Sequence, residues 1–261
     1  MKINDDQIPD LTTDNGVATI QFRRARFANR LVAQDLDVLM QLFRQVQDDR
    51  SARVLVIKGS GRHFCSGYDM EGLEKAALKG GDEFENPFEP FVDSLWALDK
   101  PVLAALHGGV YGGAIDLALA CDLRHGTLDS RMSMPALRIG LQYYVGGLQR
   151  YVSELGMANT RRIFMAGATF DAPQMLAMGV LHEVHADVEA LEHAVSTLAR
   201  QLAGLAPMAA AGTKRVLRQI ATGLVNRPHA RQSEAACLAS ADLREGLAAA
   251  REKRSPQFAG R

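Results

Sequence analysis

"PVLAALHGGVYGGAIDLALACD", residues 101–122, decides the architecture. "PVLAAL" is apolar without alternation, the pattern of a strand buried on both faces. Gly108, Gly109, Gly112 and Gly113 then crowd into one turn, and a helix-like run follows to Cys121. Length and apolarity would also suit a membrane span, and Gly108/Gly112 and Gly109/Gly113 each make a GxxxG spacing. The glycine cluster, Pro101, His107 and Asp116 favour a buried strand, a tight turn and a buried helix instead. Asp116 is then either a helix-end charge or half of a catalytic pair.

The same design occurs upstream in "VLVIKGSGRHFCSGYDM", residues 54–70. An apolar strand enters a glycine-containing turn and leaves as a helix. N–H groups in the first turn of a helix lack internal acceptors, and the helix dipole adds partial positive charge there. Two such ends meeting at one point would stabilise a developing oxyanion. Other motifs are excluded. "GSGRHF" has Phe64 where a dinucleotide fingerprint needs its third glycine, and "FCSG" has Phe64 where a nucleophile elbow needs its first. His182 and His185 have no evident acidic partner at ligand spacing, so they read as surface residues and no metal site is expected.

The 261 residues suffice for a sizeable core, and Lys+Arg and Asp+Glu are both 30. A zero net charge favours neither nucleic acid nor an anionic membrane. Cys65, Cys121 and Cys237 are widely spaced and read as reduced thiols. The charged start "MKINDDQIPD" lacks an apolar core, so no signal peptide and a cytoplasmic location are expected. Further strands are expected in "GVATIQF", "RVLVIKG", "DLRHGT", "RMSM" and "LHEVH". Leu36, Leu39, Phe43 and Val46 mark an amphipathic helix over 32–49. Residues 77–90 read as a surface loop, and the chain beyond 145 as mostly helical with Asp171 capping a helix that Gly179 stops.

These segments together resemble the crotonase, or enoyl-CoA hydratase/isomerase, superfamily. "RHFCSGYDM" stands where that family has F-C-A-G-A-D-L. "KPVLAALHGGVYGGAIDLALACDLRHGT" stands on its K-P-x-x-A-x-x-x-G-x-x-x-G-G-G-x-E-L-x-x-x-C-D run, and "FDAPQMLAMGVLHEVH" and "REKRSPQF" match its later signatures. The resemblance implies an α/β fold: a spiral of ββα units over residues 1–195, with a helical region over 196–261 that forms homotrimers or dimers of trimers. It implies an acyl-CoA thioester as substrate and no cofactor beyond the coenzyme A that the substrate carries. The amides of Tyr68 and Gly113 would form the oxyanion hole. Arg26 would meet the CoA phosphates, with the backbone of Ala28 and Ser66 at the adenine end. Gly67, Asp69, Gly112, Pro135 and Ala136 would complete the binding site.

Two positions depart from the family. Its hydratases use two glutamates; the first falls on Asp116, shorter by roughly 1.5 Å of bond, and the second on Ala136, which carries no proton. A general acid/base group is worth about 10²–10⁴ in rate, so simple hydration would suffer. "GLQYYVGG" adds Tyr143 and Tyr144 near the acyl group, similar to the methylmalonyl-CoA decarboxylase branch. The sequence therefore implies enolate chemistry with Asp116 as acid/base. The alternatives are decarboxylation with Tyr143 orienting the carboxylate, or acyl-CoA binding without turnover.

Overall fold

The architecture follows from where apolar strands run out into polar turns. The structure, a computed structural model, describes residues 7–79 and 86–261. In chain order its strands are β1 (Asp10–Asp14), β2 (Val17–Phe22), β3 (Val54–Gly59), β4 (Val102–Leu106), β5 (Gly109–Tyr111), β6 (Leu123–Thr127), β7 (Arg131–Ser133), β8 (Thr169–Asp171) and β9 (Glu183–His185). The helices are α1 (Ala33–Asp48), α2 (Met70–Lys79), α3 (Phe88–Trp96), α4 (Gly113–Leu119), α5 (Val145–Ala166), α6 (Ala172–Ala177), α7 (Val188–Ala203), α8 (Pro207–Thr222), α9 (Arg227–Ala239) and α10 (Ala241–Glu252).

A six-stranded sheet has the order β1-β2-β3-β4-β6-β9, parallel apart from the β1–β2 hairpin. A second sheet pairs β5 with β7 in parallel and β7 with β8 antiparallel. Single bridges continue that second layer, joining Cys65 to Val110 and Tyr68 to Leu31. Each turn of the chain therefore lays one strand in the first sheet, a short extended piece in the second, and then a helix. β4, β5 and α4 make the clearest unit; β3, the 65–68 piece and α2 make the one before it. This is the expected ββα spiral.

The stretch over 101–122 becomes β4, β5 and α4, not a membrane span; among the described residues no helix is long and apolar enough to cross one. β4 is buried at every position because helices and the second sheet cover both its faces. α1 buries Leu36, Leu39, Phe43 and Val46, the apolar face its spacing sets. Buried Arg124 clamps the outer strands, donating to the carbonyls of Cys121, Val180 and Gly179. β1, β5 and β8 carry little apolar signal and are additions to the sequence reading. The loop expected over 77–90 is corrected at both ends: α2 runs to Lys79 and α3 starts at Phe88, whose face with Phe91, Val92 and Leu95 is buried. Residues 80–85 of that loop lie outside the described residues, as do residues 1–6 of the charged start. The boundary expected at 195/196 falls inside α7, which packs Leu191, Val195 and Ala199 onto Val54, Val56, Leu103 and Ala105 of the main sheet.

Candidate active site

Two glycine turns from neighbouring ββα units meet behind the second sheet. Leu31 N–H donates to the Gly67 carbonyl at 2.9 Å, and Asp69 N–H to the Leu31 carbonyl at 2.8 Å. Those bonds belong to the residues flanking Tyr68, so its own N–H points away from Leu31. Gly67 lies against the β5–α4 turn: a methyl group on it would stand 2.6 Å from the Tyr111 carbonyl oxygen and 3.1 Å from the Gly113 nitrogen. Gly67 and Gly112 hold φ of +90° and +54°, so both turns require glycine. Gly113 is the first residue of α4, where a backbone N–H has no intrahelical acceptor.

Both turns open on a cavity of about 620 Å³. Of the residues singled out in the sequence, Tyr68, Gly112, Gly113, Pro135, Ala136, Tyr143, Tyr144 and Ser66 line it, while Gly67 and Asp69 do not. Met70, Leu73, Phe88, Met134 and Leu141 give it an apolar wall. A larger cavity of about 680 Å³ lies between the end of α4 and α8. Its charged groups are committed to structural bonds, such as Lys214 donating to Asp122 at 2.6 Å, so it lacks convergent reactive groups.

The end expected to take the CoA head is partly assembled. Ala28 adopts a left-handed conformation, and its carbonyl accepts from Ser66 N–H at 2.8 Å, so these two expected residues adjoin. Arg26 is exposed on the 3-10 turn Ala25–Phe27 and does not line the cavity; Arg30 does, and pairs with Asp69 at 3.0 Å. Arg30 is a cation the sequence reading missed.

Asp116 has a different setting from the one expected. It has no exposed surface and does not line the cavity. Arg150 Nε donates to its Oδ1 at 2.9 Å and Nη2 to its Oδ2 at 3.2 Å. The Tyr143 hydroxyl donates to Oδ2 at 3.3 Å, and the Tyr144 hydroxyl donates to the same oxygen. The two phenols stand between Asp116 and the cavity, ring centroids 4.6 Å apart. Burial, then the Asp116 charge, raises both phenol pKa values above the ordinary range, so both stay protonated at neutral pH. Tyr143 also packs on Tyr151 and Phe164, within its own chain. Arg150 was not singled out in the sequence, where a charge in an amphipathic helix carries no sign of its partner.

Ala136 lines the cavity where a second carboxylate was missing, and Glu89 of α3 supplies one from elsewhere. Glu89 is the carboxylate among the described lining residues, and its Oε1 accepts from Gly146 N–H at 3.2 Å in the first turn of α5. Its sequence context, between Pro87 and Pro90, gives no hint of this role.

The histidine reading needs one correction. Glu183 Oε2 lies 3.4 Å from both His185 Nε2 and His125 Nδ1, so an acidic partner is present. His182 is apart from that group, against Arg124, and burial lowers its pKa to about 4.

Comparison with known proteins identifies the family and the fold. The family model for enoyl-CoA hydratase/isomerase matches residues 12–261. A carnitinyl-CoA dehydratase of Proteus mirabilis is 30% identical, over 96% of this chain and 98% of its own. A peroxisomal Delta(3,5)-Delta(2,4)-dienoyl-CoA isomerase of Arabidopsis thaliana is 27% identical, over 95% and 94%. The crystal structure of an enoyl-CoA hydratase/carnithine racemase from Magnetospirillum magneticum superposes with a TM-score of 0.91 at 25% identity, covering 97% of this chain and 96% of that one.

Proposed function

The chain belongs to the enoyl-CoA hydratase/isomerase family, and on that premise we propose that it is an enzyme acting on an acyl-CoA thioester through an enolate. The observation that carries this is the meeting of the Tyr68 and Gly113 backbones at one cavity of about 620 Å³. A thioester oxygen held by both amides gains negative charge as the α-carbon gives up a proton. Preset donors at such an oxygen are each worth about 2.7–4 kcal/mol of barrier.

The proton carrier is Glu89, and the reaction is double-bond migration. Hydration needs one group to activate water and a second to deliver a proton. Migration needs one carboxylate: Glu89 takes a proton from C2 of a 3-enoyl thioester, and the dienolate oxygen rests on the two amides. The same proton then goes to C4, leaving the double bond between C2 and C3. Asp116 acts through the phenols: with Arg150 it fixes Tyr143 and Tyr144 as protonated walls of the acyl pocket.

The test offers the purified protein a 3-enoyl-CoA, crotonyl-CoA and methylmalonyl-CoA, following enoyl absorbance and CO₂. Migration that falls about 10²–10⁴-fold in Glu89→Gln is expected; unchanged migration in that variant contradicts the assignment. The two phenols lining the cavity support a second reading, decarboxylation of a malonyl-type thioester. CO₂ release that survives Glu89→Gln and disappears in Tyr143→Phe would establish it. Tight binding with no turnover of any ester would make the chain a binding protein. Assembly as a homotrimer or dimer of trimers, with a cytoplasmic location, completes the proposal.

A further inference from the structure

The register of β9 on β6 creates a cluster at the edge of the main sheet, none of whose members lines the acyl cavity. His125 stands opposite Glu183, and Thr127 opposite His185. Because side chains alternate along a strand, His125, Glu183 and His185 share one face. Their polar atoms form a nearly equilateral triangle. His125 Nδ1 is 3.2 Å from His185 Nε2, and Glu183 Oε2 is 3.4 Å from each nitrogen.

We propose that His125, Glu183 and His185 bind one divalent cation of the zinc type in a tetrahedral set completed by water. A tetrahedron's edge is roughly 1.63 times its bond length, so zinc bonds of about 2.0–2.2 Å place ligand atoms about 3.3–3.6 Å apart. The triangle here has that size. Magnesium bonds of about 2.0–2.1 Å in an octahedron give adjacent ligands only about 2.8–3.0 Å apart, and magnesium and calcium both prefer oxygen donors. Two imidazoles and one carboxylate suit zinc and its late first-row neighbours better than magnesium or calcium, and the tetrahedral spacing favours zinc among them. His125 is the buried anchor, with 8% of its side chain exposed, while Glu183 is 61% exposed and leaves the site open to entry from solvent.

The cation ties a three-residue edge strand to its neighbour just before Asp187 caps α7. A plain His–His hydrogen bond with a flanking carboxylate gives similar distances without any metal, and the two are separated by titration. The full chain is freed of metal with a chelator and titrated with zinc chloride by calorimetry, and with cobalt(II) by visible absorption. One equivalent per chain is expected, with the intense band of four-coordinate cobalt. Glu183→Gln, at a side chain 61% exposed, and His185→Ala, at one 16% exposed, should each weaken binding at least tenfold. Their metal-free circular dichroism and melting temperature should match the parent's. No saturable zinc site, a weak six-coordinate cobalt band, or a loss below tenfold in both variants would overturn the proposal. The readout is independent of acyl-CoA turnover, so it stands or falls separately from the enzymatic reading.

Discussion

Asp116 and Arg150 have no exposed surface on either side chain, so their ion pair is costly to break. Removing one partner of such a pair leaves a buried charge unmatched, at about 3–5 kcal/mol. Arg150→Met should therefore lower unfolding stability by about that amount in urea, and adding Asp116→Leu should restore most of it. A single variant as stable as the parent would show that the charge finds another partner. Gly67→Ala acts differently. Its φ of +90° and the 2.6 Å approach of the Tyr111 oxygen force the 65–68 segment away from Gly113. Turnover should fall about 10²–10³-fold, the worth of one oxyanion donor; parent-like turnover would separate the two turns from catalysis. At this scale the sequence shows a carboxylate in an apolar run and two glycine turns. It does not show that Arg150, 34 positions on, neutralises that carboxylate, because the pairing needs the packing of α5 on α4.

Elements set which groups can react. Cys65 lies in the second sheet layer and Cys121 just beyond α4; burial pushes both thiols up to about 12. Cys237 of α9 is only half-buried. A thiol reagent at pH 8 should label one cysteine in the native chain and three after denaturation, and rapid labelling of Cys65 would contradict the layer packing. The end of α10 offers a pH test. Arg254 donates to Glu245 at 2.6 and 3.0 Å, and Gln257 N–H donates to it at 2.8 Å, which brings the Glu245 pKa from 4.5 to about 2. A carboxylate with a lowered native pKa favours the fold above its ordinary value, and the benefit fades as pH falls from 4.5 toward 2. Carboxyl NMR should give a Glu245 midpoint near that lower value, and Arg254→Gln should return it to the ordinary range. A midpoint of 4.5 in the parent would deny the clip. Most elements were legible from apolar periodicity: α1, β3, β4 and α4 follow their patterns closely. In the second sheet β7 was legible in "RMSM", but β5 and β8 were not, since three residues carry no period, and Pro87 and Pro90 disguised the start of α3.

Across the whole molecule the cavity is a product of topology. Its walls come from segments as far apart as Arg30 and Val145, brought together by successive turns of the spiral. Family motifs reveal the two turns, because those motifs are local. Glu89 and the His125–Glu183–His185 triangle escape because each depends on neighbours set by sheet order. Exposed apolar side chains on the C-terminal helices, among them Leu217, Ile220, Leu238 and Leu247, fit the proposed assembly. Sedimentation should give a three-fold multiple of the chain mass, and a monomer at micromolar concentration would refute it. The account rests most heavily on two backbone amides polarising a thioester carbonyl. Difference infrared spectroscopy of a bound acyl-CoA carrying ¹³C at that carbonyl reads this directly, whatever the reaction. The stretch should move to lower frequency in the parent and return toward the solution value in Gly67→Ala; a bound carbonyl that absorbs as it does in water would contradict the account.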